Sequence, residues 1–369
     1  MKFHKRQSSR RLLGGLSAEV QSLESRCLPA GTVTADISGG NITLNGDKFN
    51  NLIEVELTPT GVFVRGVEGT NLKFGARTIA DGSSLKLASG PRVTTDLIIN
   101  LKDGNDSVSI YVGGSAETPV AATIGRNLKI DVGRGMDSVV IDVRDGSLTI
   151  GNELNIKLGD DSDNLLLGYI PPTVDQPADL PEVTSEILTF PLHVAGLTKI
   201  SGGTGDDVVG AFGVSTGRNL QIETGGGNDA VVIGGASIGG SATISTGSGN
   251  DGVGLAFVAI LGDTDIKTGS GDDRVVAFFV HSEGNATILL QQGNDTVITG
   301  GQLSLGNGAQ LTLNGGTGAR TEIDTLAVAP DVGLELVSTV IGFEDAIASE
   351  LVPGILEDLF REFFGSTPV

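Results

Sequence analysis

The feature that most constrains this chain is an aspartate that returns at a fixed interval inside a glycine turn. The triplet Gly-Asn-Asp and its variants end at Asp106, Asp137, Asp163, Asp207, Asp229, Asp251, Asp273 and Asp295. The last four gaps are 22 residues each, the gap from Asp163 to Asp207 is 44, and the two before it are 31 and 26. Seven residues before every anchor stands Ile (Ile99, Ile130, Ile156, Ile200, Ile222, Ile244, Ile266 and Ile288), and two residues after it stands Val or Leu. A period of this length marks a stack of identical supersecondary units.

Each period reads as a strand through the Ile, a glycine turn carrying the anchor, a second strand from the Val, and a return bend at Gly217, Gly239, Gly262 or Gly284. The first strand alternates, as in Leu220-Gln221-Ile222-Glu223, which gives one buried and one wet face. One strand pair cannot bury its own apolar face, so successive coils must stack at about 4.8 Å. The expected fold is all-β, a parallel β-helix or β-solenoid with coils of about 22 residues.

Degenerate coils extend the pattern. Ile42, Leu44, Asn51, Ile53 and Val55 keep the spacings upstream, with Asn in the anchor place; Leu313, Gly318, Asp324, Leu326 and Val328 keep them downstream. The prolines between Tyr169 and His193 mark either a degenerate coil or a surface loop. The chain divides into a basic segment 1–31, degenerate coils and cap 32–96, repeats 97–328 with the insert 169–193, and a C-terminal cap 329–369. In that cap Phe343, Ile347, Leu351, Ile355, Leu359, Phe360 and Phe363 suggest an amphipathic acidic helix over Phe343 to Gly365, with Pro353-Gly354 as a break, a short helical cap for the open strand edges. Val140, Leu166, Val208, Val232, Val276 and Ile298 make the second sheet apolar on its outer side too. That sheet expects a cover, by the cap or by self-association.

Composition narrows the function. The chain holds 56 Gly, one Cys, two Tyr and no Trp, with 24 basic and 45 acidic residues for a net charge of −21. One cysteine excludes an internal disulfide framework, and no apolar run is long enough for a membrane-spanning helix. The acidity disfavours nucleic acid and makes cations the expected partner.

The segment Gly202-Gly203-Thr204-Gly205-Asp206-Asp207-Val208-Val209, largely repeated at Gly225–Val231, Gly247–Val253 and Gly269–Val275, resembles the calcium-binding nonapeptide of RTX (hemolysin-type) proteins. That resemblance covers about nine residues of each 22 and implies at most one row of ions. The metal candidates it points to are Asp207, Asp229, Asp251, Asp273, Asp295 and Asp106, with Asp206 and Asp272 beside them. Independently, carboxylates stacked at about 4.8 Å repel by about 3.5 kcal/mol per pair at an effective dielectric of 20, a cost that calcium between coils would remove. The competing reading is a capping ladder, in which each Asp accepts turn amides and Asn105, Asn228, Asn250 and Asn294 stack beside it. The turns at Asp137 and Asp163 are poorer calcium candidates, since Met136 and Ser162 replace the polar neighbour and Asp161 replaces a Gly.

Residues 1–26 hold six bases and two acids, so without them the remainder would carry −25. The run Val20-Gln21-Ser22-Leu23-Glu24-Ser25-Arg26-Cys27-Leu28-Pro29-Ala30 resembles the N-terminal Leu-Glu-x-Arg-x-Leu-x-Ala tract of many predicted exported and cell-surface proteins of planctomycete bacteria. It implies a secreted or surface location. The function expected from all this is a non-enzymatic structural or adhesion solenoid. The alternative is a carbohydrate-active β-helix enzyme, a polysaccharide lyase or hydrolase, working in the 169–193 loop. Against it, the aspartates recur as architecture, sugar-stacking aromatics are scarce, and His193 and His281 read as solitary, structural residues.

Overall fold

The computed structural model describes residues 31–114, 118–144, 146–168, 191–300, 303–316, 325–328, 337–341 and 345–348. Over these the chain winds as a parallel β-solenoid of two facing sheets, one built from the strand before each anchor and one from the strand after it. In the first sheet Leu220–Gly226 pairs in parallel with Ala242–Ser248, which places Ile222 opposite Ile244. In the second, Ala230–Ile238 pairs with Gly252–Ile260, which places Val231 opposite Val253. All four side chains are buried, and the inward Ile, Leu and Val of every coil join one continuous core between the sheets. Burying each such side chain contributes about 1.5–3 kcal/mol; Gln221 and Glu223, between them in sequence, face outward.

The long interval resolves into one coil plus an insertion. Asn164–Gly168 pairs directly with Val208–Phe212, and Leu154–Asp160 with Thr198–Thr204. Leu192–Val194 then completes the coil against Gly146–Ile150. The 44-residue gap is therefore a single turn of the solenoid interrupted by a segment whose residues 169–190 lie outside the described ones.

At the N-terminal end the upstream coil keeps the predicted register, with Leu44 opposite Ile99 and Val55 opposite Ile110. Beyond it the strand sense changes. Thr32–Ser38 folds back antiparallel on Asn41–Asn45, and Gly61–Gly66 pairs antiparallel with both Leu52–Thr58 and Ser84–Ser89. Hairpins of this kind close the open edge of a stack that would otherwise template further strands.

At the other end Leu311–Asn314 and Thr325–Val328 add a coil, and Val337–Ile341 and Asp345–Ala348 pair in parallel upon it. Asp345–Ala348, inside the predicted amphipathic helix, are thus a strand. An apolar pattern there fits either state, and pairing satisfies the row of amides and carbonyls that Thr325–Val328 would leave open. The rest of that segment, with Gly318, Asp324 and the N-terminal tract 1–30, lies outside the described residues. Of the outward apolar positions, Val140, Leu166, Val208 and Val232 are half-buried, whereas Val276, Phe278 and Ile298 are buried yet stand apart from the core cluster. Among the described residues no helix is long and apolar enough to cross a membrane.

Candidate functional site: an aspartate ladder

The anchor turn needs left-handed backbone twice. Four residues before the anchor, Gly225 and Gly247 have φ of 109° and 103°, and two before it Gly227 and Gly249 have 133° and 126°. A Cβ on Gly247 would also stand 1.9 Å from the carbonyl oxygen of Gly225 in the preceding coil. Only glycine meets both demands cheaply. At the two ends of the array Lys102 and Gln291 hold the first of these positions at φ 83° and 79°, and Asp161 holds the second at 79°.

This turn aims every anchor at its neighbour. The N–H of Asp207 donates to Asp229 Oδ1 at 2.9 Å, that of Asp229 to Asp251 Oδ1 at 2.9 Å, that of Asp251 to Asp273 Oδ1 at 2.9 Å, and that of Asp273 to Asp295 Oδ1 at 2.8 Å. The same contact joins Asp106 to Asp137 at 2.6 Å, Asp137 to Asp163 at 2.8 Å and Asp163 to Asp207 at 3.0 Å. Asn51 begins the column by donating its N–H to Asp106 Oδ1 at 2.7 Å. All eight anchors are buried. Asp137 and Asp163, the poorer candidates by sequence, occupy the column like the rest, because its geometry depends on the turn and not on the neighbouring residue.

A second column runs beside it with the opposite polarity. One residue before the anchor in the later coils, the side chain accepts from the next coil's amide: Asp206 Oδ1 from Asn228 N–H at 2.6 Å, Asn228 Oδ1 from Asn250 N–H at 2.8 Å, Asn250 Oδ1 from Asp272 N–H at 2.8 Å, and Asp272 Oδ1 from Asn294 N–H at 2.8 Å. Asp206 and Asp272, predicted beside the anchors, are exposed members of this outer column. A third column closes the opposite bend through Asn219, Ser241, Asp263 and Asn285, each accepting from the coil above. Side-chain acceptors thus meet turn amides that the sheets leave unpaired.

The second oxygen of each anchor is the unusual group. In Asp106, Asp137, Asp163, Asp207, Asp229, Asp251 and Asp273 Oδ2 is buried without a hydrogen bond of normal geometry. It points inward: a Cβ on Gly202, five residues before Asp207, would lie 2.2 Å from Asp207 Oδ2. That inward place holds Leu101, Val132 and Leu158 in the early coils, and Thr224, Thr246 and Thr268 in the later ones. Each threonine hydroxyl donates to the next coil's carbonyl, Thr224 to Thr246 O at 3.3 Å and Thr246 to Thr268 O at 3.2 Å. The same hydroxyls lie near enough to their own anchors to favour the ionised carboxyl. A single hydroxyl proton thus has two claimants, and only the bond to the carbonyl has normal geometry.

Burial, which disfavours charge, pushes the carboxyls of seven anchors, Asp106 to Asp273, above the usual range, and the amide donated to Oδ1 only partly offsets it. Asp106 and Asp207 rise to about 7, Asp137 to about 8, and Asp163 and Asp273 to about 6. Asp229 and Asp251 are raised by the same burial, with the threonine hydroxyl and the neighbouring amide pulling back. Nearby carboxylates add to the rise in several turns, as Asp106 and Asp163 do at Asp137. No protein family, curated protein or solved structure matches the chain. Its function must therefore be argued from this geometry.

Calcium takes six to eight oxygens. Each anchor presents one oxygen already holding an amide, and the turn carbonyls of Gly226, Ser248, Ser270 and Gln292 each accept an amide from the preceding coil. Among the described residues no three His, Cys, Asp or Glu side chains are placed to share one ion. The donor oxygens as arranged are already engaged between coils, so an ion would have to share or displace those hydrogen bonds, and burial of the anchors favours their protonated form.

Sequence reasoning missed the threonine ladder, although polar residues at an inward position were a signal for it. It also read His193 and His281 as solitary. In register, His193 Nδ1 meets Ser215 Oγ at 2.7 Å, and His281 meets Ser304 Oγ at 2.7 Å and Glu283 Oε1 at 3.1 Å.

Proposed function

We propose that this chain is a structural β-solenoid, a rod that serves as a spacer or adhesion module outside the cell. The observation that carries the reading is the aspartate column, repeated coil upon coil from Asn51 to Asp295, with its two companion columns at the bends. Such an array spends its most distinctive residues on joining coils, and the eight steps from Asn51 to Asp295, at about 4.8 Å each, already span close to 40 Å. The surface location rests on the resemblance of the tract at 20–30 to those of exported proteins. In this reading hydrogen bonds close the turns and calcium is not required.

Two measurements test it. A tagged full-length chain, expressed in a bacterium whose surface proteins carry the Leu-Glu-x-Arg tract, is expected in the surface or medium fraction; retention in the cytoplasm would remove the location. Thermal melting in millimolar calcium and in chelator is expected to give one curve. A calcium-dependent rise in melting temperature would restore calcium as the ligand of the turns and displace the hydrogen-bonded account. The carbohydrate-active alternative predicts cleavage products from acidic polysaccharides, which the structural reading does not.

A further inference from the structure

We propose that Ser304, His281 and Glu283 form an ester-hydrolysing site on the outer face of the second sheet, with Phe257 and Phe279 as a platform for an aromatic or other apolar acyl group. This goes beyond the structural reading by placing a reaction on one face of the rod.

Parallel register brings the three polar residues together. His281 stands opposite Ser304 of the following coil, and Glu283 lies two residues further along the same chain. Ser304 Oγ is 2.7 Å from His281 Nδ1, and Glu283 Oε1 is 3.1 Å from Nε2. One tautomer satisfies both contacts: Nε2–H donates to the carboxylate, and the Nδ1 lone pair faces the serine hydroxyl. That is the nucleophile, base and orienting acid of an activated serine, recognised by geometry and not by sequence order. The molecule supplies its own control. His193 meets Ser215 through the same nitrogen at 2.7 Å, but the residue in the place of Glu283 is Ala195.

The aromatic pair is a second, independent observation. Phe257 and Phe279 hold φ of 57° and 52°, at a place where the preceding coils have Gly213 and Gly235 at 62° and 56°. Bulky residues in left-handed backbone are strained, and strain of this kind gathers at functional sites. The two rings stack 4.8 Å apart and 6° from parallel, and remain 39% and 45% exposed. On the side of the preceding coil, a Cβ built on Gly235 would have nothing within 4 Å, which leaves room for a ring against Phe257. Phe279 is two residues from His281, about 7 Å along the strand. The net charge of −21 favours neutral or cationic esters.

In the reaction His281 Nδ1 takes the Ser304 hydroxyl proton as Oγ bonds to the acyl carbon. The bond to the alkoxy oxygen then breaks, and the alcohol leaves with that proton. Water, deprotonated by the same nitrogen, adds to the acyl-serine and releases the acid, restoring Ser304. Glu283 positions the imidazole and stabilises its charged form.

The test treats the full chain with a fluorophosphonate probe, and separately with p-nitrophenyl benzoate and acetate. Expected are modification of Ser304 and not of Ser215, and a loss of hydrolysis of about 100-fold or more in Ser304→Ala and His281→Ala. Glu283→Gln is expected to lower kcat and shift the pH profile, with Glu283→Asp restoring part of both. Phe279→Gly, which suits that backbone, should raise KM for the benzoate more than for the acetate. Ser215→Ala and His193→Ala should leave both rates unchanged. An unmodified Ser304 in protein that melts cooperatively, equal modification of Ser215, or hydrolysis that survives Ser304→Ala would each overturn the site.

Discussion

The early coils, with Asp106, Asp137 and Asp163, and the later ones, with Asp229, Asp251 and Asp273, share a turn, a register and a ladder, but they back their carboxyls differently. In the early coils the inward place behind the carboxyl holds Leu101, Val132 or Leu158; in the later ones it holds threonines whose hydroxyls donate to the next coil's carbonyl. Burial raises the anchors of both groups, and the hydroxyl tempers the rise only in the second. The ladder is therefore set by the backbone and tolerates two chemistries behind it. What differs is how much each coil loses if its carboxyl ionises.

The largest effect that would break this comparison comes from removing an anchor. Asp251→Ala strips the acceptor from the buried Asp229 N–H and is expected to cost about 1–3 kcal/mol, read by chemical denaturation and by faster amide exchange at Asp229. Asp137→Ala should cost less, because it also removes a carboxyl that has only aliphatic surroundings at its inner oxygen. Equal losses at the two sites would mean that the backing residue is irrelevant.

Acidity comes next. A carboxyl whose folded pKa lies above its unfolded value of about 3.8 binds more protons in the folded state over the interval between them. Its stabilising contribution is complete below about pH 4 and is lost as pH rises through 6 to 8, the values reached by Asp163, Asp106, Asp207 and Asp137. Melting temperature should therefore rise on acidification from pH 8 to pH 5. Asp137→Asn, which keeps the acceptor without the charge, should flatten that profile and be neutral or stabilising at pH 8. A melting temperature that falls on acidification across this range would contradict the account.

Smaller exchanges sharpen the comparison by moving one backing into the other. Thr246→Val should raise the Asp251 carboxyl further and cost about 1 kcal/mol for the lost hydrogen bond to Thr268 O. Leu158→Thr should lower the Asp163 carboxyl, at a cost of about 1–3 kcal/mol for the buried aliphatic surface given up. If carboxyl titration is unmoved in both variants, the hydroxyl does not reach the anchor as described.

Much of this architecture was legible because the period is rigid. A spacing of 22 places each Asp beside the next, and each inward Ile upon an Ile, before any coordinate is known. The same arithmetic held the His–Ser pairs in plain sight: Ser215 lies 22 residues after His193, and Ser304 lies 23 after His281. What the spacing could not show was direction. Whether an anchor turns its oxygens toward an ion or toward the preceding coil's amide depends on the left-handed turn residues and on what stands behind, not on the period. Nor could a run such as Asp345–Ala348 declare itself a strand, since only the open edge of Thr325–Val328 decides between the two states.

The central claim is that the anchor column is held by hydrogen bonds to carboxyls that burial makes titrate well above the usual carboxylate range. Carbon-13 titration of the protein labelled at the aspartate side-chain carboxyl carbon tests it most directly. The account predicts a group of aspartate signals titrating between about pH 6 and 8, Asp137 highest among them at about 8, with the same midpoints in calcium and in chelator. All aspartates titrating below about pH 5, or midpoints that drop on adding calcium, would contradict it.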